Sequence, residues 1–290
     1  MESPSIQDLL KEVSFPYRLK IIDFLKDELK GGKGAINLSE LHKRLKANGV
    51  KIPVSTVYRA VNNLSAAGIL DKKDGEVSLT PAGIFFADAI NCMRKLMDFE
   101  YLELASDFLL SLPPELRFGI HHLSECEKVD FTELRAKGLE LIDAIKERGR
   151  FIGDFTDVEF IKAMIKSRLR GAVYSLIFSE RVINEKISTI LQAFKELRLR
   201  DEEIKISQSR VEYRVLDTPI QLGLMDRKLG IIILSRGVLS PFFVLEEKRK
   251  ILWLESVFEY YWDIAKPLTE YIEKGKGDLK EKIFGSLQRF

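Results

Sequence analysis

Apolar residues recur at helical spacing from Tyr17 to Leu29: Leu19, Ile22, Leu25 and Leu29 share one face and charges the other, which predicts an amphipathic helix. The stretch GGKGAIN ends it, because glycine is a poor helix residue and a good stop. A second helix is expected from Leu38 to Ala47, with Asn37 or Ser39 as its N-cap and Leu41 and Leu45 turned inward. After an Asn48-Gly49 turn, IPVSTVYRAVNNLSAAGIL predicts a third helix opened by Pro53, with Val57, Val61 and Leu64 as its inward stripe. The period then changes to two. Ile69 and Leu70 begin a strand, Lys73-Asp74-Gly75 turns tightly, Val77 and Leu79 alternate back, and Thr80-Pro81 opens another helix.

The rest of the chain divides by the same criterion. A helical pattern runs from Ala82 to Leu112 and is broken by Pro113-Pro114, with a short helix over ELRFGIHHLSEC. Helices are expected over Phe131–Arg148, Val158–Leu169, Glu180–Leu197 and Glu246–Ile272. Strands are expected at Ala172–Phe178, Ile204–Ile206, Val211–Leu216, Ile220–Met225 and Leu229–Leu234, the last two joined by an Asp226-Arg227-Lys228 turn. Helices alternating with buried strands make a layered α/β domain.

The outward face of the third helix is the informative one. Ser55, Thr56, Tyr58, Arg59, Asn62 and Asn63 fall there, where an ordinary solvated face would carry Glu and Lys. Such side chains hydrogen-bond phosphates and base edges, with Arg matching guanine and Asn matching adenine. No carboxylate occurs from Ile52 to Leu70, which suits a surface that must approach phosphates.

Composition narrows the alternatives. At 290 residues the chain is long enough for two domains, and 46% hydrophobic residues suffice for real cores. A net charge of only +2 makes any nucleic-acid footprint local. The longest apolar runs fall far short of the ~20 residues of a membrane span. The start MESPSIQDLLKE has no basic region followed by an apolar stretch, so a cytoplasmic protein without membrane contact is expected. Two cysteines (Cys92, Cys126) and three histidines (His42, His121, His122) have no metal-like spacing, so neither metal nor cofactor is expected. Asp154 and Asp157 near Glu159 read as loop and cap residues, and Lys162, Lys166, Arg168 and Arg170 as the solvated face of a helix. Asn and Gln are scarce beside Lys, Arg and Glu, as in hyperthermophile proteins.

Helix, helix, helix, hairpin, helix is the order of a winged helix domain, and STVYRAVNNLSAAGIL with VSLTPAG resembles the recognition helix and wing of archaeal and bacterial winged helix regulators. The resemblance covers roughly residues 15–90. It implies that the helix from about Pro53 enters the major groove, while Lys72 and Lys73 on the wing touch backbone or minor groove.

Further on, LPPELRFGIHHLSECEKV, SRLRGAVYSLIFSERV, LGLMDRKLGIIIL and ILWLESVFEYYWD resemble the C-terminal domain of archaeal regulators related to the FilR-type methanogenesis regulator family. Such domains look like one half of a phospholipase D fold. The chemistry of that fold needs His-x-Lys-x4-Asp. With Asp226 in the last position, Pro219 stands in place of the histidine and Gln221 in place of the lysine, so no enzyme is expected.

The expected architecture is therefore α+β: a winged helix-turn-helix over residues 1–90, a helical linker and possible dimer contact over 91–130, and an α/β effector or dimerisation domain over 131–290. The expected function is that of a sequence-specific transcriptional regulator of archaeal type, a homodimer on double-stranded promoter or operator DNA. Its C-terminal half would sense a small-molecule effector or mediate assembly. An adaptor that recruits basal transcription factors is the alternative. Arg59, Asn62 and Asn63 are the expected base contacts; Pro53, Ser55, Thr56, Tyr58, Lys72 and Lys73 are expected to position the protein on phosphates.

Overall fold

The first periodic stretches fold into α1 (Ile6–Val13), α2 (Pro16–Lys30), β1 (Ile36–Asn37), α3 (Leu38–Ala47), α4 (Val54–Ala66), β2 (Leu70–Lys73), β3 (Glu76–Leu79) and α5 (Pro81–Met97). The computed structural model describes residues 6–32, 34–129, 131–234 and 241–274. The chain is a mixed α and β protein that separates into two units, residues 1–95 and 96–290, each described by itself.

In the first unit, β1, β3 and β2 form an antiparallel sheet in that order, with Ile36 opposite Val77 and Leu70 opposite Leu79. The stripes expected from the sequence meet in one core, with Ile22 and Leu25 of α2, Leu41 and Leu45 of α3, and Val57, Val61 and Leu64 of α4 around Ile69 and Val77. Helix α1 was not expected. It is tied to α2 by buried Arg18, which pairs with Glu12 and lies 4.4 Å from the Phe15 ring centroid. Asn37 is the cap of α3, its Oδ1 accepting from the Ser39 amide at 2.9 Å. Asp74 and Gly75, with φ of 53° and 80°, make the two-residue turn between β2 and β3.

The TPAG sequence that opens α5 has a physical reason. Thr80 Oγ1 donates to the Gly68 carbonyl at 2.6 Å and accepts from the Gly83 amide at 2.9 Å, which closes the helix start onto the end of the preceding turn. Gly83 then packs so close that a Cβ there would lie 2.0 Å from the Ile69 carbonyl oxygen, a backbone atom that cannot swing away. Gly83→Ala is therefore expected to cost the first unit ~1–3 kcal/mol by overpacking. Thermal unfolding checks this; an unchanged melting temperature would show that the helix start can move.

The second unit contains α6 (Ser106–Ser111), α7 (Pro114–Arg117), a 3-10 segment (Phe118–Glu125), β4 (Glu127–Val129), α8 (Phe131–Asp143), β5 (Arg148–Ile152), α9 (Val158–Arg170) and β6 (Val173–Phe178). After the 3-10 turn Glu180–Val182 come α10 (Ile183–Leu197), α11 (Asp201–Ser209), β7 (Val211–Val215), β8 (Gln221–Met225), β9 (Leu229–Ile233), β10 (Phe242–Leu245), α12 (Lys248–Ile264), β11 (Lys266–Pro267) and α13 (Leu268–Lys274). Eight strands form one sheet in the order β11-β7-β6-β5-β8-β9-β10-β4, in which β5, β6 and β7 are parallel and the remaining pairs antiparallel.

Side chains alternate between two cores, as the period of two requires. Ile152, Ile177, Leu222, Leu224, Ile232 and Phe243 face α12, while Phe151, Tyr174, Met225, Ile233 and Phe242 pack with Ile142 of α8 and Met164 of α9. Helices thus cover both faces of the sheet.

Several expectations are corrected. Residues 96–129 do not behave as a linker: Phe99, Ala105, Phe108, Leu112, Ile120 and Leu123 lie in the core shared with α12. The helical run from Ala82 stops at Met97, and α6 begins only at Ser106. Ile204–Ile206 is helical in α11, not a strand. The acidic residues Asp201, Glu202 and Glu203 occupy its first turn, and Glu203 accepts from the Arg200 amide at 2.9 Å. The expected Glu246–Ile272 helix is cut at Ala265, where Lys266-Pro267 joins the sheet edge beside β7. Arg168, expected on a solvated face, is buried, whereas Lys162 pairs with Glu159 and Glu196.

Candidate nucleic-acid interface

Helix α4 is held from below by buried Val57, Ala60, Val61 and Leu64, leaving Ser55, Tyr58, Arg59, Asn62 and Asn63 exposed on one side and Thr56 half-buried. The side chains of Arg59 and Asn63 make no hydrogen bond or ion pair with any described residue. A guanidinium left open in this way keeps all its donors for a partner.

The amino end of α4 is also open. Pro53 occupies the cap position with φ −61° and ψ 147° and supplies no side-chain acceptor, and the first turn carries no acidic residue. The first backbone N–H groups and the positive end of the helix dipole therefore stay available to an anion. His42 Nε2 lies 3.2 Å from the Ile52 carbonyl oxygen, fixing the entry to α4 against α3, and Lys46 and Lys51 are exposed along the same connection. Lys46 and Lys51 were not singled out in the sequence, where they sit among many surface lysines.

The hairpin treats its two lysines differently. Lys72 lies opposite Val77, so it shares the inward face of the hairpin. Its Nζ donates to Asn62 Oδ1 at 3.1 Å and sits 6.0 Å from the Tyr58 ring centroid. Tyr58, Asn62 and Lys72 are thereby gathered into one patch. Lys73 is exposed on the outward face opposite Glu76, with Asp71 exposed on the same face, and is not drawn to α4. A lysine beside two carboxylates offers phosphate less net attraction than Lys72 does.

In the second unit, Asp226, the last position compared with the phospholipase motif, has a structural duty. Asp226 sits in the β8–β9 turn, where it and Arg227 adopt φ of 49° and 54°. Its carboxylate accepts from the backbone amides of Lys146 (2.9 Å), Glu147 (2.9 Å) and Arg148 (2.8 Å), fastening the start of β5. Burial alone would raise the Asp226 pKa, but these three amides, with Lys228 nearby, bring it below the ordinary carboxylate value. Asp157 caps α9, accepting from the Glu159 amide at 2.8 Å. Among the described residues no group of three or more His, Cys, Asp or Glu is placed to hold a metal ion, and no helix is long and apolar enough to cross a membrane.

No family model matches the chain, and no curated protein matches it. Among solved structures, that of TrmBL2, an archaeal chromatin protein with a novel mode of DNA binding, aligns at 14% identity over 90% of this chain and 99% of that one, with a TM-score of 0.39. The S-adenosylmethionine-dependent methyltransferase SibL in its apo form aligns at 15% identity over 72% of this chain and 64% of that one, with a TM-score of 0.24. Neither superposition is close enough to carry the fold or the function of this chain.

Proposed function

We propose that this chain is a sequence-specific DNA-binding transcriptional regulator whose first unit is a winged helix-turn-helix. In this reading α4 enters the major groove and the β2–β3 hairpin is the wing. One observation carries it: α4 is anchored on one side by a fully apolar stripe and presents on the other a carboxylate-free face with an unpartnered arginine, two asparagines and an uncapped amino end. Arg59, Asn62 and Asn63 read base edges, while Pro53, Ser55, Thr56, Tyr58 and Lys72 position the helix on phosphates; Lys73 touches the backbone from the far side of the wing.

Such a reader acts as a homodimer on two half-sites, and α5 leaves Phe85 and Met93 exposed eight residues apart on one helical face, open to a second copy. The second unit serves as the effector or assembly half.

The test is selection of bound fragments from genomic DNA by the purified chain at two salt concentrations. An inverted repeat with half-sites about 10 base pairs apart is the expected result. Weak, steeply salt-dependent binding without a motif would overturn the proposal and leave an architectural or protein-binding role.

A further inference from the structure

In the second unit, the carboxyl ends of β5 and β6 open onto a cavity of about 120 Å³. Gly153 and Asp154, just beyond β5, and Arg181, just beyond β6, line one side; Thr218, Ile220 and Gln221, leading into β8, line the other. β8 reaches this end because it runs antiparallel to β5, with Ile152 opposite Leu222. The chain continues from β5 to β6 on one side while β8 flanks it on the other, and a crevice outside the carboxyl ends of strands at such a divergence is a common ligand position.

The polar groups decide what fits. Asp154 Oδ1 accepts from the Ser179 amide at 2.8 Å, and Oδ2 accepts from Ser179 Oγ at 2.8 Å and from Arg181 Nε and Nη2 at 3.2 and 2.8 Å. Burial alone would raise the Asp154 pKa, and these donors bring it below the usual carboxylate value. The carboxylate is therefore ionised, and it works as a bracket that fixes the guanidinium. Arg181 Nη1, by contrast, has no protein partner among the described residues, and the side chain is more than half exposed.

A second cation stands behind the bracket. Lys186 is buried, with its Nζ donating to the Phe155 carbonyl and 5.8 and 5.7 Å from the Phe155 and Phe178 ring centroids. Burial lowers its pKa to about 8, so it is largely charged at neutral pH. Asp154 acts on both cations, with Asp217 adding its field at Arg181 and Glu185 at Lys186. A neutral polyol would leave the charge of Arg181 unmatched, whereas an anion matches it. An oxyanion needs donors alone, and Arg181 and the Gln221 amide supply them. The volume lies below the ~300–1,000 Å³ of sites for drug-sized ligands, so the occupant is small.

We propose that this cavity binds the carboxylate or phosphate group of a small metabolite, gripped by Arg181 and read by Gln221. Its regulatory meaning rests on the second unit being the effector half, but binding itself does not. The experiment follows melting of the full chain without DNA as inorganic phosphate or malonate is added at constant ionic strength. At least one of the two is expected to give a saturable rise in melting temperature, and which one it is distinguishes a phosphate from a carboxylate ligand.

Arg181→Gln and, independently, Gln221→Glu, which adds a negative charge to the lining of the same cavity, should each weaken that binding at least tenfold. Their melting without added anion checks that both variants are folded. No saturable shift in the parent chain, or undiminished affinity in either folded variant, overturns the proposal. Either failure leaves the DNA reading of the first unit untouched.

Discussion

A chain with alanine at Arg59, Asn62 and Asn63 together is expected to lose about 3–6 kcal/mol of specific DNA affinity, with each base contact contributing ~1–3 kcal/mol and neighbouring contacts adding imperfectly. The loss corresponds to a hundredfold to ten-thousandfold weakening on the order of those energies. The fold should survive, because all three side chains are exposed and outside the core of the first unit. Only the Lys72–Asn62 hydrogen bond is lost, and it lies at the surface. Fluorescence anisotropy on the selected fragment and on a scrambled duplex, in one buffer, gives the specificity ratio. That ratio should collapse while binding to the scrambled duplex changes little, since phosphate contacts from the helix amino end and Lys72 remain. A ratio that persists would mean that α4 is not the reader.

The first unit was legible because its signals are local. The stripe Val57, Val61, Leu64 and its opposite face follow from a period of 3.6, and Asp74-Gly75 marks a hairpin without help from tertiary structure. Ala60, buried beside the stripe, is too small to register in a hydrophobic pattern. The unequal positions of Lys72 and Lys73 needed the register of β2 on β3, since one residue's shift exchanges the two faces of a strand. The roles of Gly68, Thr80 and Gly83 also emerge only when the helix start meets the turn before the hairpin.

The second unit was legible where strands are continuous apolar runs, as in β6, β8 and β9, and illegible where charge interrupts them. β5 reads Arg-Gly-Arg-Phe-Ile, and nothing in that string announces an inner strand. Arg150 is tolerated there because Glu255 of α12 meets it at 2.9 Å and Glu259 at 3.1 Å, partners more than a hundred residues away in sequence. Ile204-Lys205-Ile206 errs the other way: two isoleucines at a spacing of two imitate a strand, and the acidic first turn of α11 outweighs them. The cavity at Arg181 was beyond sequence reasoning, because its walls come from residues between Gly153 and Gln221 that only the strand order brings together.

Replacing Trp253 by alanine is expected to destabilise the second unit by ~3–5 kcal/mol, the usual cost of deleting a buried aromatic ring without collapse of the site. Trp253 stands on α12 and is 8% exposed; its Nε1 donates to the Leu116 carbonyl at 2.9 Å, and its ring meets Phe108 edge-on at 6.4 Å. The 3-10 segment that follows α7 is shaped around it, for a Cβ on Gly119 would lie 2.0 Å from the indole. The substitution therefore removes a ring and strands a carbonyl, and residues 96–129 lose a main anchor on the sheet.

Trp262, the only other tryptophan, lies on the same helix and remains as a fluorescent reporter of denaturant unfolding. Its transition should move to markedly lower denaturant, with Trp253→Phe recovering part of the loss through the Phe108 contact alone. Gly119→Ala, which intrudes on the ring from the opposite side, should shift the same transition by ~1–3 kcal/mol. A loss below ~1 kcal/mol in Trp253→Ala would show that the site collapses freely. The segment from Leu96 onward would then be held by its other apolar residues, and its place in the second unit would owe nothing to the indole.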